Sequence, residues 1–312
     1  MILSLFHYAG REQSGTKMYL STRKVRSETL VPYMFIAPAL TILTVFLIVP
    51  VCMAAWYSLN YFNMLKPNQI HFIGLNNYKR LFQDRLFYVS VKNTFYFAVV
   101  LVPLQVFFSF VLALLVNQKW KAIAISRIAF FSPMLTSMTV VSILWTFIYN
   151  PTPGQGLLNT FLVKVGAEPN PFLFSAKTAM NSIIGMTLWQ GVGNYMMIYL
   201  AGLQGMPPEL YEAASLDGAN WLQKLMHITL PGLKNVSVFI ILMTSIGAMK
   251  MFTQSYMMTQ GGPDESTRTI VYYIYQQGLQ FRNIGYASSA SVIFFFIVLC
   301  LSTAIKRMVN EE

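Results

Sequence analysis

The polar side chains whose spacing suits chemistry are few, and their types favour binding over reaction. Thr187, Gln190, Gly191 and Asn194 recur at three- and four-residue intervals within an otherwise apolar stretch. That spacing puts them on one helical face, with Trp189 at its edge. Thr244, Ala248 and then Thr253 with Gln254 offer a second such face. Hydrogen-bonding groups beside an aromatic ring suit a hydroxyl-bearing solute, while small and polar residues also serve to glue helices together in lipid. Reaction chemistry has no comparable set. His7, His71 and His227 do not cluster with cysteines or carboxylates at metal-ligand spacing, and no Ser/His/Asp set falls within one compartment. No G-x-x-x-x-G-K-[ST] loop is present to cradle a nucleotide phosphate. The chain is therefore expected to bind no cofactor or metal and not to be an enzyme by itself.

The elements that must position these residues are apolar helices. Of 312 residues, 55% are hydrophobic and 11% charged, against roughly 25% charged in a soluble domain. A span needs about 20 apolar residues. Six stretches qualify: Pro32 to Tyr57, Thr94 to Val116, Ile128 to Tyr149, Met180 to Leu203, Val236 to Met251 and Ala287 to Ile305. The expected fold is an all-α polytopic membrane protein with six transmembrane helices, both termini on one side. Residues 1–31 read as a basic N-terminal tail with Arg11, Lys17, Arg23, Lys24 and Arg26, 32–305 as the membrane domain, and 306–312 as a C-terminal tail.

The net charge of +11 is scattered over the connections, including Lys119, Lys121 and Arg127 in the second, and Lys66, Lys79, Arg80, Arg85 and Lys92 in the first. Lipid headgroups are the expected partner and nucleic acid is not. The positive-inside bias alone leans only weakly toward cytoplasmic termini. Cys52 and Cys300 fall inside apolar stretches, without a disulfide framework. Between the first two spans, residues 60–92 should form turns and small helices ending at Asn93-Thr94, where a helix could be N-capped. Residues 150–177, with Pro151, Pro153, Gly154, Gly156, Pro169 and Pro171, should also be turns.

The connection 204–235 has its own helical grammar. Pro207-Pro208 with Glu209 and Glu212 opens a helix, Asp217-Gly218 stops it in a left-handed turn, and Asn220 can cap a second short helix. Trp221, Leu222 and Leu225 follow, and Pro231 marks the entry to the fifth span. Ala213 and Ala214 allow close backbone approach, while Glu212 offers a carboxylate to a basic partner.

Written out, Tyr211-Glu-Ala-Ala-Ser-Leu-Asp-Gly-Ala219 and Ile228-Thr-Leu-Pro231 resemble the coupling signature of ABC importer permeases: E-A-A, three residues, G, nine residues, I-x-L-P. The resemblance implies a cytoplasmic coupling helix docked on an ATPase subunit, with Tyr211, Glu212, Ala213, Ala214, Asp217, Gly218, Ala219, Ile228, Leu230 and Pro231 at the junction and both termini cytoplasmic. Phe72-Ile-Gly-Leu-Asn-Asn-Tyr78, Asn93-Thr94, Pro133, Trp145, Trp189-Gln-Gly191 and Thr259-Gln-Gly-Gly-Pro263 are similar to the carbohydrate-import branch of the maltose and glycerol-phosphate type, and to the first permease of such pairs. That resemblance implies a homologous second permease, two copies of an ABC ATPase that uses ATP and Mg, an extracytoplasmic solute-binding protein and a saccharide cargo. The setting would be a bacterial or archaeal cytoplasmic membrane. It also places Thr187, Gln190, Gly191, Asn194, Thr244, Ala248 and Thr253 in register with the family's sugar contacts. Asn194 stands where the maltose-type permease has an aromatic residue, and Ala248 where it has an amide.

Other classes of protein share parts of this pattern. An importer of phosphate, amino acids or peptides would use the same coupling loop. A secondary transporter predicts inverted repeats, broken helices or buried carboxylates for ion coupling, and the six stretches hold essentially no Asp or Glu. A membrane-embedded enzyme would need a catalytic cluster at one depth, and none can be assembled.

Overall fold

The computed structural model describes residues 22–118 and 123–310. Arg11 and Lys17 of the expected tail, and Lys119 and Lys121 of the second connection, lie outside the described residues. The chain divides into two compact units, one ending at Met53 and the other Ala54–Glu312.

In the first unit α1 (Thr22–Leu43) continues through a π-helical turn, Thr44–Ile48, into α2 (Val49–Ser58), whose residues from Ala54 on belong to the second unit. The widened turn lies just before Pro50, whose ring would clash with the carbonyl four residues back in a regular helix. Helix thus begins well before the expected boundary at Pro32, because the basic residues ahead of it are good helix formers.

The second unit opens with an antiparallel pair, β1 (Asn60–Tyr61) with β2 (His71–Phe72), followed by α3 (Asn76–Leu81). The Phe72–Tyr78 motif earns its residue types here. The buried Asn77 amide donates to the carbonyls of Ser58 (2.9 Å) and Asn60 (3.0 Å), and the Tyr78 hydroxyl to Ser58 Oγ (2.8 Å). Next come α4 (Arg85–Val116), α5 (Ile123–Phe131), a 3₁₀ turn Ser132–Leu135, α6 (Met138–Ile148), α7 (Leu157–Lys164), a 3₁₀ turn Phe172–Phe174 and α8 (Ala179–Gln204). The remainder is α9 (Pro208–Leu216), α10 (Trp221–Lys224), a π turn Leu225–Thr229, α11 (Leu230–Gly232), α12 (Lys234–Met249), α13 (Thr253–Met258), α14 (Ile270–Tyr275), a π turn Gln276–Gln280 and α15 (Ile284–Asn310).

Helices α4, α8 and α12 pack on one another. Phe97 and Leu101 of α4, Ile183 and Met186 of α8, and Ala248 and Met249 of α12 share one buried cluster. Ala113, Val116, Met196, Leu203, Leu233 and Ile240 form another nearer the connection after α8. Close approach depends on glycine: a Cβ on Gly193 would lie 1.9 Å from the Phe130 carbonyl oxygen.

Among the described residues, three helices are long and apolar enough to cross a membrane: Tyr33–Ser58, Arg85–Val116 and Ile284–Arg307. Counting each of two bent pairs as one span, Ile123–Leu135 with Met138–Ile148 (101°) and Trp221–Gly232 with Lys234–Met249 (62°), raises the number to five. The fourth expected stretch forms α8, 26 residues long, but is not in that group. Asn181, Ser182, Gln190 and Asn194 dilute its apolarity, and its buried face looks inward, where polarity is tolerated.

Two expectations need correction. The third stretch is not a straight helix. It breaks at Pro133, where the chain runs through a 3₁₀ turn into extended backbone at Thr136. Nor is Asn93 an N-cap. The helix starts at Arg85, capped by Asp84, whose carboxylate accepts from the Leu86 amide at 2.8 Å. Asn93 lies inside α4 and faces another element, as described below.

Asp84 is also the hub of a polar knot. Its Oδ2 accepts hydrogen bonds from the hydroxyls of Tyr273 (2.5 Å) and Tyr286 (3.0 Å), and the Arg80 guanidinium lies 5.1 Å over the Tyr286 ring. Burial would raise the Asp84 carboxyl, but the hydrogen bonds from Tyr273, the Leu86 amide, Tyr286 and the Phe87 amide outweigh it and hold the group below its ordinary value.

Candidate functional site

The connection after α8 folds into a braced helix-turn-helix. Pro208 opens α9 from an extended Pro207, with Glu209 in the first turn near the positive end of the dipole. Gly218 ends it at φ +78°, a conformation that costs other residues about 1–2 kcal/mol. Asn220 then forms a full capping box: its side chain accepts from the Gln223 amide (2.9 Å), and the Gln223 side chain accepts from the Asn220 amide (2.7 Å). Side chains tie the two arms together. The Tyr211 hydroxyl is 3.0 Å from Thr229 Oγ1, and Lys224 Nζ donates to Ser215 Oγ at 2.7 Å. The π turn accommodates Pro231, as its counterpart accommodates Pro50.

The two arms enclose a cleft of about 360 Å³ lined by Ala214, Asp217, Gly218, Ala219, Gln223, Lys224, His227 and Ile228. Glu212, Ala213 and Asp217 are exposed, and Leu216 at the tip of α9 is 91% exposed. Tyr211 is half-buried against the second arm, Leu230 is exposed and Pro231 begins the turn into α12. The residues singled out in this loop fall on its two arms, with Glu212, Ala213, Asp217, Leu230 and Pro231 exposed and Tyr211, Ala214, Ala219 and Ile228 half-buried.

The two polar faces are distributed differently. Gln190 is buried, and its Nε2 donates to the Thr136 carbonyl at 3.0 Å. It thereby satisfies the backbone freed by the break at Pro133, a necessity where no water competes. Gly191 lies against Gln105: a Cβ there would meet Gln105 Nε2 at 3.2 Å. Thr187 is half-buried and donates back to the Ile183 carbonyl at 2.8 Å, and Asn194 is half-buried. Trp189 is 45% exposed, its ring centroid 5.4 Å from that of Trp145. On α12, Thr244 and Ala248 are buried, while Thr253 at the start of α13 is half-buried. Helix packing brings α8 and α12 into contact, but it covers Gln190, Thr244 and Ala248 and leaves Trp189 on the outside.

Gln105 was not singled out by sequence reasoning. It is 2% exposed at the middle of α4, and its Nε2, together with Gln190 Oε1 and Thr244 Oγ1, is buried with no hydrogen-bond partner in the protein. Three helices in mutual contact thus each bury a polar atom that no protein group satisfies. The signal was present as a lone amide within an apolar span.

Membrane-length apolar helices with polar interior atoms define a helical protein of the lipid bilayer. Residues 90–310 match the family described as binding-protein-dependent transport system inner membrane component. The chain belongs to that family: it is a multi-pass membrane permease subunit, a transport component and not an enzyme, working within a binding-protein-dependent system. It is 37% identical to the probable ABC transporter permease protein YurN of Bacillus subtilis, over 89% of this chain and 95% of that one. It is 34% identical to the arabinooligosaccharides transport system permease protein AraP of the same organism, covering 93% and 90%. The fold is similar to that of a chain in the crystal structure of a bacterial ABC transporter that imports the acidic polysaccharide alginate. The TM-score is 0.79 at 22% identity, over 93% of this chain and 98% of the other.

Proposed function

We propose that this chain forms half of the translocation pathway of an ATP-driven saccharide importer and couples that pathway to an ATPase through the loop 204–235. The observation that carries the reading is the braced helix-turn-helix: Glu212 and Leu216 project from a short helix whose arms are cross-tied by Tyr211–Thr229 and Lys224–Ser215. A rigid lever with an exposed carboxylate and an apolar tip suits docking in a groove of another subunit. Movement of that subunit would pass through α11 and the 62° bend into α12.

Under this reading the fold is six-spanning, with α8 as the remaining span and a partner permease covering its exposed face. The loop and both termini are cytoplasmic, with 1–31 and 306–312 as tails. The complex contains a homologous permease, two ATPase subunits that use ATP and Mg, and an extracytoplasmic binding protein, and this chain binds no cofactor. A bacterial or archaeal cytoplasmic membrane is the setting. Sequence kinship to AraP supports an oligosaccharide as cargo. Thr187, Gln190, Gly191, Asn194, Thr244, Ala248 and Thr253, with Trp189 at the margin, are proposed to line the path.

The test is ATPase activity and uptake by the reconstituted complex with its binding protein and a saccharide panel. Glu212→Ala and Gly218→Val should leave assembly intact and remove saccharide-stimulated hydrolysis. Full uptake by the permease without any ATPase subunit would sink the proposal.

A further inference from the structure

The Gly-Gly-Pro segment remains unexplained by transport coupling, and it lies at the far end of α12 from the braced loop. Sixteen residues of helix, about 24 Å, separate the two. Gly261 has φ +83°, and a Cβ there would lie 2.8 Å from Cε1 of Tyr272. The missing side chain lets Tyr272 seat against the loop. Tyr272 is buried, and the Arg268 guanidinium lies 5.5 Å over its ring. Arg268 is itself buried, ion-paired to Glu265 and hydrogen-bonded to Gln276 Oε1.

Three further rings gather on this anchored tyrosine. Phe252 and Tyr256 stack at 5.4 Å with an interplanar angle of 14°. Tyr275 closes on both, at 5.0 Å from Phe252 and 5.3 Å from Tyr256. Tyr272 lies 6.4 and 6.2 Å from the same two rings. Unlike Tyr272, the rings of Phe252, Tyr256 and Tyr275 are only half-buried. Phe252 and Tyr256 flank Thr253, the last residue of the proposed path, along the chain, and Tyr275 joins them by packing.

We infer that Phe252, Tyr256 and Tyr275 form an aromatic platform on which a saccharide ring stacks as it enters or leaves the path beside Thr253. The platform is held in shape by Tyr272, Arg268 and Gly261. The inference rests on the proposed saccharide cargo and adds a site to it. The apolar faces of a pyranose or furanose ring match the π-faces of aromatic side chains, and the two tyrosine hydroxyls offer hydrogen bonds at the platform's margin. Half-exposed amphipathic rings are suited to a solute that is both hydroxylated and flat. A lipid chain would need no hydroxyl.

The experiment uses the complete reconstituted transporter with its binding protein, and measures the substrate dependence of uptake for the best-transported member of a saccharide panel. Tyr275→Ala and Tyr256→Ala are each expected to raise the half-saturating concentration by about tenfold. Tyr275→Phe and Tyr256→Phe, which keep the ring, should stay within about threefold of wild type. Proton-saturation transfer to saccharide ring hydrogens, measured on the transporter without its binding protein, should be weaker in the alanine variants than in wild type. Saccharide uptake with an unchanged half-saturating concentration in both alanine variants would overturn the platform while leaving the importer reading in place. Failure of the alanine variants to assemble would overturn it too, by assigning the rings to a subunit interface. Failure of the wild-type complex to move any saccharide would overturn both.

Discussion

The side-chain amide of Asn93 donates to the backbone carbonyl of Arg268 at 3.0 Å, and to that of Glu265 at 2.7 Å, joining positions 175 and 172 residues apart. The next residue, Thr94, accepts from the Ile270 amide at 2.9 Å. A dipeptide inside α4 thus fixes the C-terminal part of the loop that carries Arg268 over the Tyr272 ring. Removing the amide takes the side-chain donor from the Arg268 carbonyl, while the Glu265 carbonyl keeps the Arg268 amide at 3.2 Å.

Asn93→Ala is expected to lower stability by about 1–3 kcal/mol and to loosen residues 259–270. Thermal unfolding of the purified protein checks the first part, and amide hydrogen exchange across the loop the second. Unchanged exchange there would show that the loop holds itself.

Gly193 sits where α8 crosses the backbone of Phe130. Gly193→Ala forces a separation of the two segments and should cost about 1–3 kcal/mol, read as a lower unfolding temperature. Gly247, with nothing within 4 Å of its added Cβ, is the control: Gly247→Ala should be neutral or slightly stabilising, by up to about 1 kcal/mol.

Asn220 starts α10 through a reciprocal pair of hydrogen bonds with Gln223. Asn220→Ala should weaken this arm by about 1 kcal/mol, and Asn220→Ser or Asp should preserve it. Protease susceptibility of the loop in the isolated permease is the direct measurement.

Asp84 gives a pH dependence with a defined sign. Its carboxyl is held below the ordinary value, so its contribution is fully present above the unfolded pKa of roughly 3.9 and is lost as pH falls through the folded value. The unfolding temperature should be flat in this respect from pH 8 to about 5 and fall only in stronger acid. Asp84→Asn should lower stability at neutral pH by about 1.5–3 kcal/mol, the usual worth of hydrogen bonds to a charged group. It should also remove part of the acid-induced loss.

Local sequence was sufficient for the loop 204–235. Pro208 at the helix start, Gly218 at its left-handed end and the Asn220 cap act within a few residues, so their consequences can be read without knowing the rest of the chain. The same holds for the strongly apolar helices α4 and α15, whose composition demands burial from water wherever they lie. Residues 150–177 kept their turns but also hold the short helix α7, buried through Asn159, which donates to the carbonyls of Asn150 (3.0 Å) and Asn170 (2.9 Å).

Other features depended on partners distant in sequence. Asn93 has the side chain of an N-cap, but Asp84 already supplies the cap and distant carbonyls claim the amide. The stripe on α8 was correct as a periodicity, yet which of its members would be covered depended on the break at Pro133, which turns the Thr136 carbonyl toward Gln190. Gln105 and the rings of Phe252, Tyr256, Tyr272 and Tyr275 gain meaning only from neighbours brought in by packing. Sequence by itself determined the solvent, the helical class and the local loop grammar, because these follow from composition and short-range hydrogen bonding. Tertiary structure alone decided which polar atoms face one another, because in lipid each buried polar group must find its partner across helices far apart in the chain.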